Sequence, residues 1–369
     1  MALLYLAWYP LPNKMGRTFF FLSAIAYFFI SCSSQDSNEE EYTPIPYSLE
    51  IPELFQEKLI SPLIPTNNPL TEEGVALGKK LFFDTSLSGN NTQSCASCHK
   101  PQNSFTDNTR FSDGIDGVFG SRNSMPLFNL AWNFSERFAW DGKEISLERQ
   151  ALEPVKNPIE MHSQWVHVIF KLQQDPEYPT LFLRAFGTST IDSSLVTKAI
   201  AQFERTLISG NSKFDQYLLG NASLNSQELN GFNVFMDESR GDCFHCHGSN
   251  NNPLWTDNEF HNNGLDEVFV DLGLGVVTGD PNDHGKFRSP SLRNLAFSAP
   301  YMHDGRFATL EEVINHYSEG LKISSTIDPL MKKAQQGGVQ LSARDKEDLE
   351  AFLLTLTDYD FINNPDFHN

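Results

Sequence analysis

Cys95-Ala-Ser-Cys-His99 and Cys243-Phe-His-Cys-His247 are the two stretches that decide the fold of this chain. Each contains two cysteines separated by two residues and followed at once by a histidine. This spacing lets both sulfurs form thioethers with one edge of a haem, and the adjacent histidine becomes the proximal ligand of the iron. A disulfide or a zinc pair would leave that histidine unexplained. The sequence therefore predicts two c-type haems, bound by Cys95, Cys98, His99, Cys243, Cys246 and His247.

The composition fits a folded protein of about two domains. The chain has 369 residues, 40% of them hydrophobic and 30 of them phenylalanine, so it has enough apolar surface for sizeable cores. With 27 basic and 47 acidic residues, its formal net charge is -20. That sign repels phosphate backbones, which argues against nucleic acid as a partner and favours a neutral or basic protein.

Helix signals recur along the chain, whereas strand-like alternation is scarce. Thr71, Asn225 and Thr309 are placed to cap helices that begin just after them. Between the predicted helices lie polar stretches, residues 84–126 and 248–290, that are longer than ordinary loops. Loops of this length need a large object to wrap around, and a haem supplies one.

We therefore predict an all-α protein made of two cytochrome c-like haem domains with long irregular haem-wrapping loops. The N-terminal domain is expected over residues 54–222 and the C-terminal domain over residues 223–369. The last helical region, which follows Ser342, is a candidate for packing back on the first domain.

The N-terminus has the pattern of an export signal over residues 1–31. An apolar run of 13 residues, 18–30, follows the basic residues Lys14 and Arg17. The run is short for a permanent membrane span, although a retained anchor is the alternative. Because haem c is attached outside the bacterial cytoplasm, both features predict a periplasmic protein. The sequence leaves open whether translation begins at Met1 or at Met15.

The export signal ends in Phe-Ile-Ser-Cys32, which resembles a bacterial lipobox with Phe29 where leucine is usual. We expect Cys32 to carry a lipid and to be the only link to a membrane. Residues 32–53 are polar, acidic and proline-containing, so they are predicted to form a flexible tether.

Five longer stretches resemble the bacterial di-haem cytochrome c peroxidases and their MauG-type relatives, over roughly residues 70–360. In that family the N-terminal haem is the peroxidatic one and the C-terminal haem accepts electrons from outside. The matching stretches are LGKKLFFDTSLSGNNTQSCASCH (77–99), GSRNSMPLFNLAWN (120–133), FAWDGKEISLERQALEPVKNPIEM (138–161), GDCFHCHG (241–248) and FRSPSLRNLAFSAPYMHDGRFATLEEV (287–313).

The resemblance implies three catalytic residues. Glu160 matches the acid/base residue above the open iron face, Gln150 matches the glutamine that accompanies it, and Trp140 matches the tryptophan between the two haems. Without the resemblance, these residues would be interpreted as a surface acid, a surface amide and a core aromatic residue.

The resemblance also implies a calcium ion between the domains. Asn123 matches a residue whose side chain helps to hold this ion, and Ser298 and Pro300 match residues that offer it backbone oxygens. Asn123 alone is equally well explained as a loop residue.

Two departures from the best-studied family pattern bear on mechanism. No histidine occurs between His99 and His162, so the first haem should be open without reductive activation. The family methionine that binds the second iron lies 14 residues after the histidine of His-Asp-Gly, and counting from His303 arrives at Tyr317. Tyrosine there is the MauG-type arrangement. The alternative ligands that the sequence leaves open are Met302, His316 and Met331.

The resemblance implies reduction of hydrogen peroxide to water with electrons from a small cytochrome c or a cupredoxin. A MauG-type oxidase that acts on a protein substrate is the first alternative, because of Tyr317. A non-enzymatic electron-transfer lipoprotein is the second, and Glu160 disfavours it. The sequence leaves open whether the protein forms a homodimer.

Overall fold

The computed structural model describes residues 42–369. The predicted export signal, the lipid-bearing Cys32 and the first part of the predicted tether lie outside the described residues. Within residues 42–369, no helix combines the length and apolar character needed to cross a membrane.

Fifteen α-helices, seven short 3-10 helices, one π-helical turn and one minimal antiparallel sheet make up the regular structure of the described residues. The sheet pairs β1 (Phe260–His261) with β2 (Phe287–Arg288), so the structure is mostly helical, in agreement with the predicted class. The helices are α1 (Glu53–Lys58), α2 (Glu72–Phe83), α3 (Cys95–Cys98), α4 (Leu147–Gln150), α5 (Glu153–Lys156), α6 (Trp165–Gln174), α7 (Tyr178–Phe186), α8 (Ser193–Thr206), α9 (Lys213–Leu218), α10 (Ser226–Met236), α11 (Phe244–His247), α12 (Leu274–Thr278), α13 (Leu310–Asn315), α14 (Ala343–Leu354) and α15 (Tyr359–Ile362).

The first hydrophobic core forms where α2 crosses α8. Leu81 and Phe82 of α2 pack against Phe203 of α8, and all three side chains are buried. The helices approach closely because Gly78 has no side chain: a Cβ there would lie 1.9 Å from the carbonyl oxygen of Ala199. Thr71 caps α2 as predicted, since its side chain accepts a hydrogen bond from the backbone of the first turn.

The second core repeats this arrangement where α10 crosses α14. A Cβ on Gly231 would lie 1.8 Å from the carbonyl oxygen of Asp348 and 2.8 Å from Cβ of Phe352. In the first core the corresponding neighbours of Gly78 are Ala199 and Phe203. The chain therefore contains two copies of one helix pair, and α8 corresponds to α14.

The predicted capping boxes of the second half are present. Asn225 and Glu228 exchange side-chain and backbone hydrogen bonds at the start of α10. Thr309 and Glu312 do the same at the start of α13.

The C-terminal segments divide between the two cores. The helix that follows Ser342, α14, packs on α10. The last helix, α15, instead contributes Phe361 to the first core, where its ring lies 5.8 Å from that of Phe105. Phe367 packs in the same place. The C-terminal segment thus packs on the first core.

Residues 42–52 are extended and bound to the first half. The backbone of Tyr47 donates to the carbonyl of Leu70, and the backbone of Glu72 donates to the carbonyl of Ile45. The flexible tether predicted to residue 53 is therefore wrong from residue 42 onward, because these backbone hydrogen bonds fix the segment in place.

Replacement of Gly78 by alanine should destabilise the protein by about 1–3 kcal/mol, because the new methyl group meets the backbone of α8. Alanine is intrinsically the better helix former by about 1 kcal/mol, so a net loss reports the clash itself. The measurement is the midpoint of urea unfolding. Gly120→Ala is the control, since the nearest atom to its Cβ is 3.9 Å away. Equal midpoints for both variants would contradict the close crossing.

Candidate functional site

The first Cys-x-x-Cys-His stretch folds as one helical turn that fixes the orientation of His99. Ser94 and Ser97 form a capping box at the start of α3. Nδ1 of His99 lies 2.9 Å from the carbonyl oxygen of Phe105 and 3.3 Å from Oγ of Ser124. A carbonyl only accepts, so Nδ1 carries the proton and Nε2 keeps its lone pair for a metal. Burial lowers the pKa of His99, which favours this neutral ring.

The second stretch is supported in the same way. Oγ of Ser289 donates to the carbonyl of Cys246 and lies 3.4 Å from Nδ1 of His247. In the first half, Ser124 makes the equivalent pair of contacts with Cys98 and His99. Burial lowers the pKa of His247 to about 4, so this ring is neutral as well.

No disulfide joins the four cysteines of residues 42–369, so all four sulfurs are available to a bound group. Burial raises the pKa of Cys95 to about 12 and that of Cys98 to about 11. These protonated thiols, each pair followed by a histidine with a free Nε2, fit the attachment chemistry of a c-type haem.

A large cavity in the second half is lined by His247 together with both cysteines of its stretch. Apolar side chains complete much of the wall, including Ile314, Leu349 and Leu353. An apolar chamber that ends in two thiols and an imidazole matches the shape and the chemistry of a haem.

Three of the four candidate ligands for the second iron reach this cavity. Tyr317, Met302 and Met331 line it, whereas His316 does not. Nδ2 of Asn263 lies 3.1 Å from the Tyr317 hydroxyl and 3.5 Å from the Met302 sulfur, so this amide holds the two side chains side by side.

The local backbone separates Tyr317 from its neighbour. After α13 the chain widens into a π-turn over His316–Gly320. Nε2 of His316 lies 3.2 Å from the carbonyl oxygen of Asn263, and His316 does not line the cavity. Burial raises the pKa of Tyr317 to about 12, although the hydrogen bond from Asn263 opposes the shift.

Glu160 lies close to the first Cys-x-x-Cys-His stretch. Its charge contributes to the raised pKa of both Cys95 and Cys98, after the larger effect of burial. Its side chain is exposed on one side, yet enough protein surrounds the carboxyl that desolvation raises its pKa. Asn157 opposes this shift, because its amide donates to Oε1 of Glu160 at 2.7 Å.

Gln150 lies at the end of α4 with its Oε1 buried and without a hydrogen-bond partner among residues 42–369. The structure shows no hydrogen bond between Gln150 and Glu160. An orphaned amide oxygen is a feature expected of a side chain that faces a bound group.

Trp140 belongs to the first half but lines the cavity of the second. Its Nε1 donates to the carbonyl of Asn123 at 2.8 Å, and its own carbonyl accepts from the backbone of Arg288 at 2.9 Å. The neighbouring Asp141 pairs with Arg122, which also forms a bidentate pair with Asp271 of the second half.

The three residues predicted to hold calcium all line the same cavity. The side-chain amide of Asn123 donates to the carbonyl of Thr109 at 2.8 Å, which leaves its own oxygen available. The carbonyl oxygens of Ser298 and Pro300 accept no hydrogen bond within residues 42–369.

The site motifs repeat within the chain, a relationship that sequence reasoning missed. The segment from Phe138, FAWDG, and the segment from Tyr301, YMHDG, each form a short hairpin with a left-handed second residue, Ala139 or Met302. In this alignment Trp140 corresponds to His303.

Continued along the chain, the same alignment pairs Pro154 with Tyr317. The first half therefore has a residue without a ligating side chain where the second half has its candidate axial ligand.

His261 lies beside Cys246 and Asp257, close enough for the three groups to bind a metal ion. Both ring nitrogens of His261 are already bonded to carboxylates, at 2.8 Å to Asp257 and 2.7 Å to Asp328. Burial alone would lower the pKa of His261, but these two carboxylates raise it to about 12. His261, Asp257 and Asp328 are therefore interpreted as an ion triad that joins distant loops, which is simpler than a metal site.

His261→Gln should reduce stability most at low pH. The unfolded pKa of histidine is about 6.5, so the contribution of the charged ring is complete below that pH and declines as the pH rises towards 12. Urea unfolding of both proteins at pH values of about 6, 8 and 10 measures this. A difference that stays constant, or that grows with pH, would contradict the ion triad.

Comparisons with known proteins agree with this geometry. A family model described as di-haem cytochrome c peroxidase matches residues 72–223. The methylamine utilization protein MauG of Methylorubrum extorquens is 39% identical over 79% of this chain and 80% of its own length. Cytochrome c551 peroxidase of Nitrosomonas europaea is 33% identical over 84% of each protein.

A solved structure shows the same architecture. The crystal structure of a MauG-like protein associated with microbial copper homeostasis superimposes with a TM-score of 0.78 and 36% identity, over 87% of this chain and 99% of that one.

Proposed function

Because the chain belongs to the di-haem cytochrome c peroxidase family, we propose that it reduces hydrogen peroxide to water with electrons from a small cytochrome c or a cupredoxin. One observation carries the proposal. Glu160 lies near enough to the first Cys-x-x-Cys-His stretch for its charge to make a small contribution to the raised pKa of Cys95 and Cys98, while the position that holds Tyr317 in the second half is occupied by Pro154 in the first. The first site combines an acid/base group with the lack of an axial side chain at that position.

The family implies two c-type haems, and we assign one to each half. The N-terminal domain, residues 54–222, holds the first through Cys95, Cys98 and His99. The C-terminal domain, residues 223–369, holds the second through Cys243, Cys246 and His247. When bound, the haems would supply the two electrons that reduce peroxide, and the donor would replace them one at a time.

Glu160 is the group that moves protons. Its raised pKa suits a carboxyl that takes a proton from one peroxide oxygen and returns it to the departing one, which leaves as water. Asn157 orients the carboxyl through its 2.7 Å hydrogen bond. The unpartnered oxygen of Gln150 is available to position peroxide or water.

Trp140 is the bridge for electrons between the halves. Its ring is buried, lines the second cavity and is fixed by the carbonyl of Asn123. The Arg122 pairs with Asp141 and Asp271 tie the adjoining loops together, which keeps the ring from moving relative to either half.

Tyr317 is the side chain that, together with His247, would hold the second iron. It lines the cavity of His247 and accepts a hydrogen bond from Asn263. A phenolate ligand would stabilise oxidised iron. This residue and the MauG relative favour the second candidate function, a MauG-type oxidase that acts on a protein substrate.

Calcium is the further metal that we assign, to Asn123, Ser298 and Pro300. The support is their shared cavity wall and three oxygens that accept no hydrogen bond within the described residues. Amide and carbonyl oxygens are the ligands that this hard cation prefers.

We also propose export to the periplasm and attachment to a membrane through a lipid on Cys32. The support is the sequence pattern of residues 1–32 and the need for haem c attachment outside the cytoplasm.

Glu160→Gln should lower peroxide consumption by a factor of roughly 100 or more, because the amide keeps the shape but cannot accept a proton. Haem content, measured from the absorption of the denatured protein, should stay at two per chain. Glu177→Gln, a surface change in the same domain, is the control. Normal turnover by the Glu160 variant would remove this residue from the mechanism.

Tyr317→Phe should change the absorption and EPR spectra of the oxidised second haem, since its ligand would be lost. Met302→Leu and Met331→Leu, which alter the other cavity-lining candidates, should leave both spectra unchanged. A spectral change confined to either methionine variant would reassign the ligand.

A further inference from the structure

Glu204 is a buried carboxyl in the first half that the proposed mechanism does not use. It lies on α8 with only 7% of its surface exposed. Its carboxyl oxygens accept no hydrogen bond within residues 42–369, and since neither is among the fully enclosed polar atoms that lack a partner, they border open space in the first half. Buried carboxyls normally have such partners, so this side chain requires an explanation.

The internal repeat shows which way Glu204 faces. Ala199 and Phe203 meet Gly78 in the first core just as Asp348 and Phe352 meet Gly231 in the second. The residue after Phe203 is Glu204, and the residue after Phe352 is Leu353, which lines the cavity of the second Cys-x-x-Cys-His stretch. By this correspondence Glu204 faces the first haem site at the place where the second site has a leucine.

Electrostatics agree with that placement. Glu204 is the largest charge contribution, after burial, to the raised pKa of Cys95. Its carboxyl is therefore close to the thioether edge of the first site.

The surrounding charges leave Glu204 uncompensated. Arg205, the adjacent cation on α8, donates to Oε1 of Glu148 on α4 at 2.8 Å. Burial raises the pKa of Glu204 to about 8; the Arg205 charge opposes this shift and the Glu148 charge adds to it. From α3, the facing group is the Cys95 sulfur, which bears no charge once it is a thioether.

We propose that Glu204 is the protonation site that couples reduction of the N-terminal haem to the uptake of one proton. At pH values above the pKa of Glu204, where the oxidised protein holds a carboxylate, one electron from the external donor enters the first site and one proton from solvent converts that carboxylate to the carboxylic acid. The donor is oxidised, the haem is reduced and the net charge around Glu204 and the haem is unchanged. In buried surroundings of low dielectric, an uncompensated electron would be costly.

This inference rests on the proposed haem site but goes beyond the proposed function, because peroxide reduction does not itself require Glu204. The inference also predicts that the two haem sites differ in their proton uptake. The second site, with Leu353 in the corresponding position, lacks this particular group.

The test is a potentiometric titration of the holoprotein over pH values of about 6 to 9, followed at the absorption bands of each haem. In the unmutated protein the potential of the N-terminal haem should fall as the pH rises through the range where Glu204 ionises. Glu204→Gln and Glu204→Leu should abolish this fall. Glu72→Gln, a surface carboxyl of the same domain, should preserve it.

Persistence of the fall in both Glu204 variants, or a flat potential in the unmutated protein, would overturn the proposal. An infrared difference spectrum of the unmutated protein gives a second measurement that requires no variant. At a pH of about 9, where Glu204 is ionised in the oxidised protein, reduction should produce the C=O band of a protonated carboxyl, and absence of this band would count against Glu204. Normal peroxide turnover alongside a flat potential would refute this inference while leaving the proposed function intact.

Discussion

The hydrogen bond from Nδ1 of His99 to the carbonyl of Phe105 is the interaction on which the first site depends. It selects the tautomer with a free Nε2, and it fixes the plane of the ring against the backbone of a loop. Phe105 is itself buried in the first core, against Phe82 and Phe361. The residue that orients His99 therefore also belongs to the hydrophobic core. In the second half, Ser289 lies 3.4 Å from Nδ1 of His247.

The two halves share a scaffold and differ where the chemistry differs. Each has a glycine-mediated helix crossing and a serine that braces its histidine. At corresponding positions the first half has Pro154 and Glu204, and the second has Tyr317 and Leu353. These exchanges make the first site the one that lacks a ligating side chain at the axial position and has a buried acid. They leave the second apolar and equipped with candidate ligands.

Local signals in the sequence predicted the parts of the fold that depend on nearby residues. The Cys-x-x-Cys-His stretches and the capping boxes at Asn225 and Thr309 involve residues at most four apart, so their partners can be identified from spacing. The resemblance to a family identified Glu160, Trp140 and Tyr317 as candidate functional residues. Spacing alone would not have distinguished them from ordinary surface or core residues.

The remaining features depend on contacts between distant residues. The ion pair of Arg122 and Asp271 joins residues 149 positions apart, and the hydrogen bond from Asn263 to Tyr317 joins residues 54 positions apart. The internal repeat was missed because the corresponding motifs are short and the offset between them changes along the chain. Glu204 follows a phenylalanine on an ordinary amphipathic helix, so only the three-dimensional correspondence with Leu353 shows that it faces the haem site.

The most direct test of the account is peroxide turnover by the fully oxidised holoprotein, with a reduced small cytochrome c as donor and without prior reduction of the enzyme. An open first site beside Glu160 predicts that the cytochrome is oxidised at once, at two molecules per peroxide consumed. A lag that pre-reduction abolishes would show that a side chain blocks the first iron. Peroxide-treated protein that leaves the cytochrome reduced would contradict the peroxidase assignment and favour the MauG-type alternative.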